Sequence, residues 1–217
     1  MIKEFFRFLY NPTFQLEKKI DFKLFVILFI FYIFSTIPSG LFNNLIYSNF
    51  NISHNKLTLS PIYIIIIGCF ISPIYEEIIF RLLLIFNKRN FIFYIVAILF
   101  TLTLSYLRLN IFYFSFLIIL LLLHTVALFV MKISRINKFV KYKFKFFFWG
   151  SSVIFGLLHI ANFKGDLPTI LFFSIILVSS QIILGFILGY IRVHFGIKYS
   201  ILFHTCVNIV FLLPQAL

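Results

Sequence analysis

Ile71-Ser72-Pro73-Ile74-Tyr75-Glu76-Glu77-Ile78-Ile79-Phe80-Arg81-Leu82-Leu83-Leu84-Ile85-Phe86 is the segment with which every other part of this chain must be squared. Two adjacent carboxylates and a guanidinium sit inside an apolar run that begins near Ile62, and no other charge intervenes after Lys56. About 20 apolar residues are enough to cross a hydrocarbon core of about 30 Å, whereas one charge at that depth costs about 2.5–3.5 kcal/mol on insertion scales. Charges at 76, 77 and 81 therefore require either a function or a compensating network.

The rest of the sequence fits a membrane setting. It is 62% hydrophobic and 12% charged, with a mean hydropathy of +1.09, whereas a soluble domain carries about 25% charged residues. The expected fold is all-α, a polytopic bundle of about seven transmembrane helices with a polar intramembrane site. Spans are expected over 22–42, 62–86, 91–107, 111–131, from 146 onward, 169–191 and 197–213, within a single transmembrane domain covering 22–217. Residues 1–21 mix Phe, Lys and Glu and predict an amphipathic surface segment, broken at Pro12 and retained rather than removed as a signal. The segment 43–60 is polar and suits an external loop. Gly185 and Gly189, four apart, would let another helix approach closely.

A formal charge of +13 gathers in four places: Lys3 to Lys23, Lys88 and Arg89, residues 132–145, and Arg192 with Lys198. With a cytoplasmic N-terminus and seven spans, all four fall on the cytoplasmic side, and Lys56, Arg108 and Lys164 are left for the other. The basic run 132–145 would rest against anionic headgroups at about 1 kcal/mol per charge. Nucleic acid is not an expected partner, because these charges lie in short connections and no RNA-binding motif accompanies them. Cys69 and Cys206 both fall in spans and read as small core residues rather than a disulfide or a zinc knuckle.

Helical spacing sorts the polar residues. Glu77 and Arg81 are four apart on one face, in the favourable order for an ion pair, while Glu76 points about a quarter-turn away and is left as the free carboxylate. All three could instead form one static network. Pro73 lacks an N–H and should leave the Cys69 carbonyl without its α-helical donor, kinking the helix just before the glutamates. His159 and His204 lie in two later spans, with Phe155 one turn before the first and Asn208 one turn after the second. At about 1.5 Å per residue, Glu76, His159 and His204 lie about 15, 20 and 10 Å from the cytoplasmic ends of their helices, so they can converge. His124 reads as structural, and His54 and His194 as loop residues.

The series Glu76-Glu77-x-x-x-Arg81, Phe155-x-x-x-His159 and His204-x-x-x-Asn208, in order on separate helices, resembles the CPBP family of CAAX prenyl protease-like and Abi-like intramembrane proteases, over about 72–210. Leu82 departs from the Gly usual after the Arg. Burial suits Glu76 to general base, His159 to holding the same water, and His204 with Asn208 to binding the oxyanion, and the resemblance implies the same roles. Glu77, Arg81 and Phe155 then support those groups. This mechanism needs no cofactor. A competing reading makes Glu76, His159 and His204 a zinc set, as in a metalloprotease, although the helix-borne His-Glu-x-x-His motif of soluble zinc proteases is absent. The expected substrate is a membrane protein or peptide, not prenylated, in the cell membrane of a prokaryote. Two other functions fit the same residues: a non-catalytic binding or bacteriocin-immunity protein, and a small transporter, which lacks the paired broken helices such proteins use.

Overall fold

Local capping chemistry sets the first helices. The computed structural model describes residues 2–15, 17–54, 60–107, 115, 118, 119, 121, 122 and 133–216. Helix α1 (Ile2–Tyr10) buries Phe5 and Phe8 and presents its remaining face outward, as an amphipathic segment should. The Asp21 side chain accepts the Leu24 N–H at 3.1 Å and opens α2 (Phe22–Phe50). This helix does not stop at 42 as the Pro38-Ser39-Gly40 sequence suggests. Ser39 shares a 2.8 Å hydrogen bond with Ser179, and Asn43 donates to the Leu177 carbonyl at 3.1 Å, so polar residues expected in a loop are satisfied on a helix. Strand β1 (Ser53–His54) follows and pairs antiparallel with β2 (Phe163–Lys164).

Pro61 starts a single helical turn, α3 (Pro61–Tyr63), capped by the Ser60 hydroxyl. The chain then widens into a π-helix over Ile64–Ile71 before returning to α4 (Ser72–Arg81), with Pro73 in its first turn, and ending in a 3₁₀ turn Leu82–Leu84. The break expected at Pro73 is therefore a change of helix register. Helix α5 (Lys88–Leu107) packs Tyr94 and Ile98 against Leu82.

After α6 (Ile133–Tyr142), α7 (Phe144–Leu158) runs into a 3₁₀ turn, His159–Asn162. The sixth span expected over 169–191 is corrected to three pieces, α8 (Leu167–Phe172), α9 (Ser174–Leu177) and α10 (Ser179–Phe195). The interruption near Val178 persists because α2 supplies partners to Leu177 and Ser179. Helix α11 (Ile197–Ala216) closes the chain.

Helix α10 occupies the middle. Every residue from Ile187 to Phe195 is buried, and α10 meets α7 at backbone distance through a glycine from each helix: a Cβ on Gly185 of α10 would lie 2.6 Å from the Ser152 carbonyl oxygen, and one on Gly156 of α7 2.8 Å from the Ile182 nitrogen. The main core gathers α1, α2, α7, α10 and α11 around Phe148, Ile187, Leu188, Ile191 and Phe203. His194, expected in a loop, belongs to α10 and is buried, stacked on Tyr190 with ring centroids 4.0 Å apart. Arg192, counted among the surface charges, is 2% exposed. Its ion pair with Glu17 allows that burial.

Among the described residues, Phe22–Phe50, Pro61–Leu84, Phe144–Asn162 and Ile197–Pro214 are helices long and apolar enough to cross a bilayer. The protein is an all-α membrane protein. The expected fourth span, with His124, Lys56 and Arg108, lies outside the described residues apart from isolated positions between 115 and 122.

Candidate active site

Three helices distant in sequence supply the polar residues: α4 carries Glu76, Glu77 and Arg81, the end of α7 carries Phe155 and His159, and α11 carries His204 and Asn208. Glu77 is buried completely, and so is Arg81, which donates from Nη1 to Glu77 Oε1 at 2.9 Å. This is the i,i+4 pair expected from spacing. A carboxylate out of water needs all its lone pairs met, and Glu77 receives more: His204 Nδ1 lies 3.1 Å from the same oxygen, and the Ser200 hydroxyl donates to Oε2. Ser200 stands four residues before His204, so it shares that helix face.

Glu76 is held differently. Its Oε1 accepts from the Ser72 hydroxyl at 2.5 Å, while Oε2 is buried with no hydrogen-bond partner among the described residues. That oxygen faces His204 Nε2 at 3.6 Å, beyond hydrogen-bond reach. His204 thus lies between the two glutamates, one nitrogen toward each.

His159 Nδ1 lies 2.9 Å from the Phe155 carbonyl oxygen. A carbonyl only accepts, so Nδ1 carries the proton and a neutral ring leaves its Nε2 lone pair bare. Phe155 joins these groups: its ring centroid is 5.0 Å from that of His159 and 5.6 Å from that of His204, and the Arg81 guanidinium carbon sits 3.9 Å over its face. The aromatic face thereby covers a guanidinium whose Nε and Nη2 have no hydrogen-bond acceptor among the described residues.

Asn208 Nδ2 donates at 2.8 Å to the Gly68 carbonyl in the π-helix. In that register the Ser72 N–H reaches back five residues to Ile67, so the Gly68 carbonyl would look to Pro73, which has no N–H. The orphaned carbonyl is thus Gly68 rather than Cys69, and Asn208 meets it.

Among the described residues no group of three His, Cys, Asp or Glu side chains is arranged to hold a metal ion, Glu76, His159 and His204 included. Sequence reasoning missed Ser72 and Ser200, although each lies four residues from a residue it did single out. It also missed Arg192, whose partners come from distant segments.

The family model described as type II CAAX prenyl endopeptidase Rce1-like matches residues 58–210. No curated protein and no solved structure matches the chain.

Proposed function

The chain belongs to the type II CAAX prenyl endopeptidase Rce1-like family, and on that premise we propose that it is an intramembrane endopeptidase in which Glu76 activates water for attack on a peptide carbonyl. The observation that carries the mechanism is the asymmetry of the two glutamates. Glu77 is saturated by Arg81, His204 and Ser200, whereas Glu76 keeps one buried oxygen without a hydrogen-bond partner among the described residues, facing the His204 imidazole.

A water bound there can donate one hydrogen to Glu76 Oε2 and the other to the bare Nε2 of His159. Glu76 takes a proton as the water oxygen bonds to the carbonyl carbon, and the carbonyl electrons move onto oxygen. His204 supplies the donor for that oxyanion. With its Nδ1–H held by Glu77, its Nε2 must also be protonated to donate, and the resulting imidazolium balances the surplus negative charge of Glu76 and Glu77 against Arg81. Asn208 joins it through the Nδ2 hydrogen not committed to Gly68. Collapse of the intermediate re-forms the carbonyl and breaks the C–N bond as Glu76 returns its proton to the leaving amine, and the remaining water proton passes from the new carboxylic acid to that amine, giving a carboxylate and an ammonium group.

The substrate we assign is a membrane-associated protein or peptide without a prenyl group, in the cell membrane of a prokaryote. The test uses purified protein and two internally quenched probes, a transmembrane peptide and a farnesylated Cys-aliphatic-aliphatic-X peptide. The wild type should cleave the unprenylated probe, and Glu76→Gln or His159→Ala should lower the rate on the order of 10²–10⁴-fold with the helical spectrum intact. A metal chelator should leave the rate unchanged. Equal rates in wild type and Glu76→Gln would instead favour the non-catalytic binding or immunity reading.

A further inference from the structure

A buried arginine outside the site has chemistry to account for. Arg192 on α10 is 2% exposed, and its Nη1 donates to Glu17 Oε1 at 2.7 Å. The other arms of the fork turn toward the helix that bears the glutamates: Nε donates to the Arg81 carbonyl at 3.3 Å and Nη2 to the Leu82 carbonyl at 3.5 Å. These carbonyls lie where α4 ends and the 3₁₀ turn begins. The C-terminal end of a helix carries partial negative charge and the last carbonyls lack regular α partners, so a cation is favoured there. Arginine's planar fork can reach two carbonyls and a carboxylate at once.

The backbone beside Glu17 is anchored as well. The backbone N–H of Lys18 donates to the His194 carbonyl at 2.6 Å, which fixes the chain beside Glu17 against the end of α10. Gly196 follows with φ +98°, and a Cβ there would lie 3.0 Å from Glu17 Oε2. Glycine is suited to that conformation and leaves room for the carboxylate. Glu17 also lies outside the family match at 58–210. The N-terminal segment thus adds a contact of its own to the part of the fold that bears the site.

We propose that Glu17 and Arg192 are positioning residues, an ion pair through which the N-terminal segment fixes the end of α4 and hence the register of Glu76 and Glu77 against His204. The kinetic part of this inference rests on the hydrolase reading above. The structural part does not.

The experiment therefore pairs amide hydrogen exchange in detergent micelles with kcat and KM on whichever of the two probes the wild type cleaves, for Glu17→Gln, Glu17→Asp, Arg192→Gln and Gly196→Ala. Glu17→Gln and Arg192→Gln should raise exchange over residues 77–86 selectively and lower kcat on the order of ten- to a hundredfold at nearly constant KM, the effect of misplacing a reacting group by a fraction of an ångström or more. Glu17→Asp should recover part of both, and Gly196→Ala should behave like Glu17→Gln. Glu17 has a side chain 50% exposed, so Glu17→Gln folds even where Arg192→Gln does not. Wild-type exchange over 77–86 in Glu17→Gln overturns the proposal. So does a uniform rise across all helices, or raised exchange with unchanged kcat. If the wild type cleaves neither probe, the hydrolase reading fails alone and the exchange result still decides the positioning role.

Discussion

Asn208 has one side-chain nitrogen for the contact it makes and for the oxyanion role we propose for it. Its Nδ2 holds the Gly68 carbonyl that Pro73 cannot serve, and the oxyanion role needs the second hydrogen on the same atom. The two tasks can be separated. Asn208→Ala should lower both the unfolding midpoint in micelles and the cleavage rate, with a stability loss of about 1–3 kcal/mol for the orphaned carbonyl. Adding Pro73→Ala returns a backbone N–H near that carbonyl, so the double variant should regain the midpoint and not the rate. Recovery of both would make Asn208 purely structural, and recovery of neither would remove the Pro73 account. Arg81 gives a simpler test. Removing it leaves Glu77 buried without its guanidinium, so Arg81→Ala should destabilise the fold by about 3–5 kcal/mol, read as a fall in the denaturation midpoint. Arg81→Lys should recover only part of this, because the flat guanidinium also covers the Phe155 ring at 3.9 Å.

At the scale of elements, α10 contributes none of the residues assigned to the chemistry and yet touches each helix that does. Its glycines seat α7, Arg192 reaches the end of α4, and the Leu188 carbonyl oxygen lies 2.9 Å from the Ser200 hydroxyl oxygen on α11. Small residues permit this because helix association in lipid depends on close packing rather than on expulsion of water. A methyl group at 185 would press on the Ser152 backbone, which cannot rotate away. Gly185→Ala is therefore expected to cost about 1–3 kcal/mol and to lower the cleavage rate by shifting His159 relative to Glu76. A thermal-unfolding series together with rate measurements would check this, and an unchanged midpoint would contradict it. Gly40, with nothing within 4 Å of its would-be Cβ, serves as the control. Gly40→Ala should leave both quantities near wild type.

Across the whole molecule, the basic segments assemble at one end. Lys141 lies over the Phe14 ring at 4.5 Å and Lys145 over Tyr10 at 5.4 Å, while the Trp149 indole donates to the Leu9 carbonyl at 3.1 Å. The opposite end is marked by the β1–β2 pair, which joins Ser53 to Lys164. We propose that the basic end faces the cytoplasm, as the Lys and Arg bias favours. Single cysteines at exposed positions 19 and 164, in a background with Cys69 and Cys206 replaced by Ala, should react from opposite sides of intact cells with a membrane-impermeant maleimide. Labelling of 19 from outside would reverse the orientation.

Much of this was legible without coordinates where geometry is local. A step of four along a helix brings Glu77 to Arg81, Phe155 to His159 and His204 to Asn208 on shared faces, and hydropathy marks the membrane helices. The same spacing offered Ser72 to Glu76 and Ser200 to His204, which passed unnoticed because a serine inside an apolar helix ordinarily bonds its own backbone. The end of α2 and the division of the sixth span were misread for another reason. Pro38, Ser39 and Asn43 look like breaks or loop residues until Ser179 and the Leu177 carbonyl satisfy Ser39 and Asn43.

The amino-acid order by itself determined that this is a helical membrane protein with a carboxylate, two imidazoles and an amide spaced to meet inside the bilayer. Only the tertiary structure decided that His204 turns Nδ1 to Glu77 and Nε2 to Glu76, that Asn208 serves Gly68, and that Arg192 reaches Glu17. Local pairs follow from the fixed pitch of one helix. Pairs between helices depend on how each is rotated and shifted against the next, which glycines at 156 and 185 and the π-register over Ile64–Ile71 set through packing.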